Sequence, residues 1–185
     1  MQVKDAIISR RSIRKFKPDL PSYAVLKEFV NLGRLSASAA NMQPLKFAIL
    51  EDAAKQIFPH VKWAGYLPDW NPAPEDAPPA YIAVFGDTAI KNQFETDAGA
   101  AIQNILLGAV DSGLAACWLG AIDRPALKAL LGFGDQYQLL YLVAIGYPAQ
   151  ESIMFDTADS IKYTMDERGT VHVPKRPLSE VLLDL

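Results

Sequence analysis

The chain has 185 residues, half of them hydrophobic, with 18 lysines and arginines against 21 acids. That composition suits one domain with a real apolar core, and a formal charge of −3 argues against the broad basic face that nucleic-acid binding needs. The single cysteine, Cys117, excludes an internal disulfide framework, the two distant histidines (His60, His172) give no zinc spacing, and no apolar run reaches the ~20 residues that span a bilayer.

In chain order, residues 3–10 predict a short helix that buries Ala6, Ile7 and Ile8. It runs into SRRSIRKFKP (9–18), where Arg10, Arg11, Arg14, Lys15 and Lys17 crowd the start of an acidic chain. Two readings are open: a solvated helix end whose cations suit the C-terminal dipole, or an anion site. Residues 22–37 predict a second helix, with Ser22 as N-cap and Val25, Phe29, Leu32 and Leu35 at helical spacing. The small residues and proline of SASAANMQP (36–44) then break the pattern. Residues 46–51 (KFAILE) read as a strand and 52–61 as a helix. LPDWNPAPEDAPP (67–79) holds five of the thirteen prolines, which makes it a long loop or lid, with Trp70 as its best candidate to line a site.

AYIAVFG (80–86) is a continuous apolar run of strand length. Residues 89–112 predict the longest helix. Its stretch DAGAAIQNILLGAV is apolar on nearly every face, so it is either buried on all sides or buried on one and docked to a second subunit on the other. Gly113 stops it. LAACWLGAI (114–122) is a third strand, in which Cys117 reads as a small buried apolar residue. Asp123 caps a helix running through Leu131 with Pro125 in its first turn, and QLLYLVAIG (138–146) is a fourth strand. The tail after Pro148 is too polar to make its own core and is expected to wrap a neighbour. The fold class is therefore α+β over residues 1–185: a small mixed central sheet flanked by helices, with 149–185 as an extended C-terminal arm. MQVKDAIISRRS, with Asp5 inside it, makes a poor signal peptide, so a soluble cytoplasmic protein is expected.

The segments RRSIR, SAANMQP, DAGAAIQNILLGAVDSGLAACWLG, IGYP and VPKRPL are each weak signals, but in this order they cover essentially the whole chain. Together they resemble the nitroreductase family of FMN-dependent oxidoreductases. The resemblance implies a homodimer with FMN at the subunit interface, NADH or NADPH as electron donor, and a small-molecule acceptor such as a nitroaromatic or quinone, turned over by a ping-pong mechanism. Neither nucleic acid, membrane nor metal enters that picture.

Within that resemblance, Arg10, Lys175 and Arg176 surround the FMN phosphate, as bidentate guanidinium forks and a point charge suit a dianionic monoester. Ser12 lies near the ribityl chain or ring, and Arg11 either helps or is solvated. Arg14 places a fixed cation near flavin N1 and O2, where charge develops on reduction. Ser38, Ala39, Asn41 and Gln43 approach the ring, often that of the other subunit. Gly120, after Leu119, lets backbone approach N5 and O4. The family often has an acid where Leu119 stands, which leaves substrate preference there open. No residue is a catalytic nucleophile, because the flavin carries the hydride chemistry. Other readings stay open: a flavin carrier or sensor without turnover, a specialised branch for flavin fragmentation or reductive dehalogenation, and a scaffold in which RRSIR is only a helix-end charge cluster.

Overall fold

The structure, a computed structural model, describes residues 1–67 and 70–184. Pro68 and Asp69 of the expected proline-rich loop and Leu185 of the expected arm lie outside the described residues.

Four apolar runs pair into one sheet because each buries a face that no single strand can cover. They are β1 (Leu45–Leu50), β2 (Ala80–Asp87), β3 (Ala115–Leu119) and β4 (Tyr137–Gly146), in the order β1-β2-β4-β3. Every ladder in it is antiparallel, and a parallel bridge from Ser12 to Ala116 extends the β3 edge. β2 and β4 are central and almost wholly buried, which is why they read as continuous apolar runs rather than alternating ones.

Helix α2 (Tyr23–Arg34) and helix α4 (Glu95–Asp111) cover one face with Leu26, Phe29, Ile102 and Ile105. The other face packs Ile13, Phe16, Ile57, Trp63, Tyr81, Cys117 and Leu119. Helices α1 (Val3–Ser9), α3 (Ala54–Ile57) and α5 (Arg124–Leu131) are short.

Several expectations need correction. In α1 only Ala6 is buried, while Ile7 and Ile8 are about half exposed, because the helix meets its neighbour along a single narrow edge. In α2 the buried positions are Leu26, Phe29 and Gly33, and Leu35 is an exposed C-cap. The helix expected over 52–61 is one turn followed by a 3-10 turn, Phe58–His60; Pro59 lacks the N–H that would continue the α ladder. The longest helix starts at Glu95, not 89. Asp87 ends β2 in a turn, its carboxylate accepting from Ala89 N–H at 3.1 Å and its carbonyl from Ile90 N–H at 3.0 Å. That helix is buried on one side only, leaving Gly99, Ala100, Gln103 and Leu107 partly exposed.

The tail is not simply extended. It forms a second sheet from β5 (Ser152–Asp156), β6 (Thr164–Met165) and β7 (Val171–Lys175), followed by the single helical turn α6 (Leu178–Val181). β5 runs parallel to β7 and β6 antiparallel to it. This sheet is tied to its own chain: Ala149 N–H donates to Lys15 O at 3.0 Å and Lys17 N–H to Tyr147 O at 2.9 Å. No helix among the described residues is long and apolar enough to cross a membrane.

Candidate active site

RRSIR leaves the end of α1 and runs along the free edge of β3. Ile13 N–H donates to Ala116 O at 3.3 Å, Ile13 and Phe16 enter the core, and the cations stay outside it. Arg10, Arg11 and Arg14 have no carboxylate partner among the described residues; Lys15 pairs with Asp76 at 2.9 Å.

Arg11 turns back onto α1. Its Nη1 donates to Ile8 O at 2.8 Å, a helix C-terminal carbonyl, while its Nε is buried without a protein partner. Burial, then repulsion from Arg10, lowers its pKa from the usual guanidinium value. Arg14 is held differently. Its backbone N–H donates to Gln150 Oε1 at 3.3 Å and its Nε to Trp63 O at 2.7 Å, and its guanidinium lies 4.9 Å from the Tyr163 ring centroid. The Cys117 thiol is fully buried below this segment. Burial pushes its pKa up, although Arg14 and Arg10 pull the other way.

β3 ends at Leu119, whose side chain is in the core, so only its backbone can meet a ligand. Gly120 follows on the surface, where an added Cβ would come within 3.4 Å of the Tyr141 ring. Trp118 is the more exposed tryptophan of this strand region and packs edge-on against Tyr141, whereas Trp70 packs against the core.

SAANMQP is a tight 3-10 turn, Ala39–Asn41, entering β1. Ala40, Asn41 and Gln43 all have φ near +50°, a left-handed conformation that costs an L-residue roughly 1–2 kcal/mol. Side-chain bonds hold it. Gln43 N–H donates to Ser38 Oγ at 2.9 Å, and Gln43 Nε2 donates to Asn41 O and Oδ1 at 3.2 and 3.1 Å. Ala39 N–H donates to Asp97 Oδ1 at 3.0 Å.

Asp97 was missed by sequence reasoning. It is buried in the first turn of α4 and ion-paired with Lys91. Burial pushes its pKa up, but Lys91, Ser38 and the Ala39 N–H outweigh that and hold it below the ordinary carboxylate value. A lone acid opening an otherwise apolar helix was the available signal. Beside it lies a cavity of about 220 Å³ lined by Ser36, Ser38, Gln43, Lys46 and Asp97.

Within one chain the two halves of the expected site do not meet. Ser12 bridges Ala116, in register with Ile145 and Ala80, whereas SAANMQP leads into Leu45, in register with Gly86. Because Ser12 lies outside β3, four strand spacings and six residues separate these corners, roughly 28 Å on the diagonal. The ties to α4 agree: the loop is bound to Asp97 at its start, and the Met1 amine to Asp111 at its end. Lys175 closes β7 and Arg176 follows it. Arg176 pairs with Glu180 at 3.1 Å, and no hydrogen bond or ion pair joins either residue to RRSIR.

Comparison with known proteins identifies the family and the fold. A family model described as the nitroreductase family matches residues 7–147. A protein of Archaeoglobus fulgidus, provisionally named NADH dehydrogenase/NAD(P)H nitroreductase, is 28% identical over 163 residues, spanning 83% of this chain and 89% of that protein. A provisionally named nitroreductase from Desulfovibrio desulfuricans, solved in complex with FMN, is 26% identical. The match covers 100% of this chain and 97% of that one, with a TM-score of 0.74. A nitroreductase family protein from Streptococcus pneumoniae, at 15% identity, has the same fold across 100% of both chains, also with a TM-score of 0.74.

Proposed function

The chain belongs to the nitroreductase family, and from that membership we propose that it is an FMN-dependent oxidoreductase. It takes electrons from NADH or NADPH and passes them by ping-pong turnover to a nitroaromatic, quinone or related small acceptor. The observation that carries this reading is the RRSIR segment: three arginines on one sheet edge with no carboxylate among the described residues to neutralise them. Such uncompensated charge, with the orphaned buried Nε of Arg11, fits an anionic group and not a solvated helix end alone.

FMN, when bound, supplies the two-electron chemistry at its N5. The residues of this chain bind and tune it. Arg10, Lys175 and Arg176 would hold the phosphate, with Arg11 adding its free Nε. Ser12 would bond the ribityl chain or ring, and Arg14 would bring its charge to the N1 and O2 edge. Gly120 and the Leu119 backbone would border N5.

Ser38, Ala39, Asn41 and Gln43 complete the site from a second copy. The diagonal separation supports this arrangement, since a two-fold axis can set one copy's RRSIR edge against the other's loop and so make two equal sites. The partly exposed flank of α4 and the exposed Leu178, Val181, Leu182 and Leu183 give such a dimer apolar surface, the latter as an arm. A cytoplasmic location suits the single unpaired Cys117.

The test is an absorbance spectrum of the purified protein, before and after anaerobic addition of NADH or NADPH. Flavin bands that bleach support the reading. Flavin bands that persist point to a carrier or a different donor, and a colourless protein that cannot be reconstituted with FMN refutes it.

A further inference from the structure

Arg14 is the meeting point of three segments far apart in sequence. Trp63 supplies a carbonyl to Nε at 2.7 Å, Gln150 accepts from the backbone N–H at 3.3 Å, and Tyr163 lays its ring 4.9 Å from the guanidinium carbon. Tyr163 is itself fixed from the far side. Its hydroxyl accepts from Tyr66 N–H at 3.3 Å, and the two rings pack edge-to-face at 5.1 Å. No carboxylate takes part, and Nη2 of Arg14 has no protein partner among the described residues.

This way of holding an arginine leaves its charge uncancelled. A carboxylate would fix the side chain more strongly but would cancel its charge at a distance. A carbonyl and an aromatic face restrain the guanidinium while leaving it a full cation. The restraint has a purpose only if the charge is to act on something else.

We propose that Tyr163, braced by Tyr66, is a positioning residue that aims Arg14 at the redox centre and thereby sets its potential. This rests on the flavin reading above. It adds a function for the tail that the arm does not need: the second sheet carries Tyr163 back onto its own chain's arginine. A preorganised cation favours the more negative, reduced form of a bound flavin over the oxidised form. Loss of the ring lets Arg14 disperse into solvent, where water screens it.

The test uses the full-length protein loaded with FMN, with the two-electron midpoint potential measured by equilibration against a reference dye and the FMN Kd by titration. Tyr163→Leu should weaken reduced relative to oxidised flavin binding by roughly threefold, about 15 mV to lower potential, with little change in the Kd of oxidised FMN. Tyr163→Phe keeps the ring and its packing on Tyr66 but loses the hydroxyl that accepts from Tyr66 N–H, and should fall between wild type and leucine. Tyr163→Glu, which pairs the arginine with an acid, should shift it down further than leucine. In an Arg14→Gln background the Tyr163→Leu change should produce no additional shift.

An unchanged potential in both Tyr163→Leu and Tyr163→Glu overturns the role of Tyr163 while FMN binding stands. A shift that persists in the Arg14→Gln background overturns it as well, because the ring would then act by some other route. Wild-type protein that binds no FMN overturns the flavin reading itself, a result distinct from either.

Discussion

Replacing Asp97 by alanine removes the carboxylate that ties the SAANMQP loop to the first turn of α4. The carboxylate is buried, pairs with Lys91 and accepts from Ala39 N–H at 3.0 Å. Breaking a buried pair by deleting one partner costs about 3–5 kcal/mol. Lys91 retains some contact with water, so about 3 kcal/mol, the low end, applies to Asp97→Asn, which can still accept from Ala39. Asp97→Ala also strands the Ala39 N–H, adding about 1 kcal/mol.

Three left-handed residues in the loop raise the stakes, because a strained turn persists only where its surroundings hold it. For a chain of this size 3 kcal/mol is roughly 6–12 °C in Tm. Thermal and urea unfolding at fixed protein concentration measure both variants, and amide exchange at Ala39 and Gln43 reports the loop itself. The pH dependence has a definite sign. The folded carboxyl titrates below its unfolded value, so its contribution is present above the ordinary Asp range and lost as pH falls through the lower, folded value. The gap between wild type and Asp97→Asn should therefore be full at pH 7 and narrow progressively as pH falls below about 4. A variant within 0.5 kcal/mol of wild type at pH 7, by about the usual scatter of surface substitutions, or a gap that widens in acid, refutes this account of the loop.

Replacing both Lys175 and Arg176 by alanine should weaken FMN retention on gel filtration by more than tenfold, at roughly 1.4 kcal/mol per decade; unchanged flavin occupancy removes the tail cations from the phosphate site. Gly86→Ala should destabilise by about 2–3 kcal/mol, since its Cβ would lie 2.5–2.6 Å from ring atoms of the buried Phe94. Gly108→Ala should cost under about 1 kcal/mol, because the atom it meets is a flexible methyl of Leu32 and the helix gains from alanine; urea midpoints separate the two. The Cys117 thiol, buried and with its pKa raised, should react with thiol reagents only as fast as the protein opens, and rapid reaction in native buffer would contradict its placement.

The four central strands and two large helices were legible because each carries its own signal. β2 and β4 are apolar without interruption, and α2 repeats at helical spacing behind a Ser22 cap. The family motifs located the arginines for the same reason, as contiguous residues. The tail sheet was illegible. β5 is mostly exposed, so it lacks an apolar rhythm, and Pro174 argues against a strand. The structure tolerates that proline because β6 pairs only with Val171 and His172, leaving Pro174 without a neighbour on that side. Asp97 and Tyr163 were missed because their partners, Ala39 and Arg14, lie far away in sequence. Nothing local distinguishes a buried clamp from a helix-opening acid, or a brace from a surface tyrosine.

The span between Arg14 and Gln150 also sets an order of events during synthesis. The arginine's backbone N–H binds a side chain 136 residues later, and the aromatic face that restrains its guanidinium comes later still. At about 5–20 residues per second the segment waits roughly 7–27 s after translation of RRSIR before Gln150 is even made. Until then the nascent chain displays a run of cations on an incomplete edge, available to any polyanion nearby. Synthesis of Gln150 and Tyr163 ends that interval for Arg14, so this edge is completed only by segments made more than a hundred residues after it.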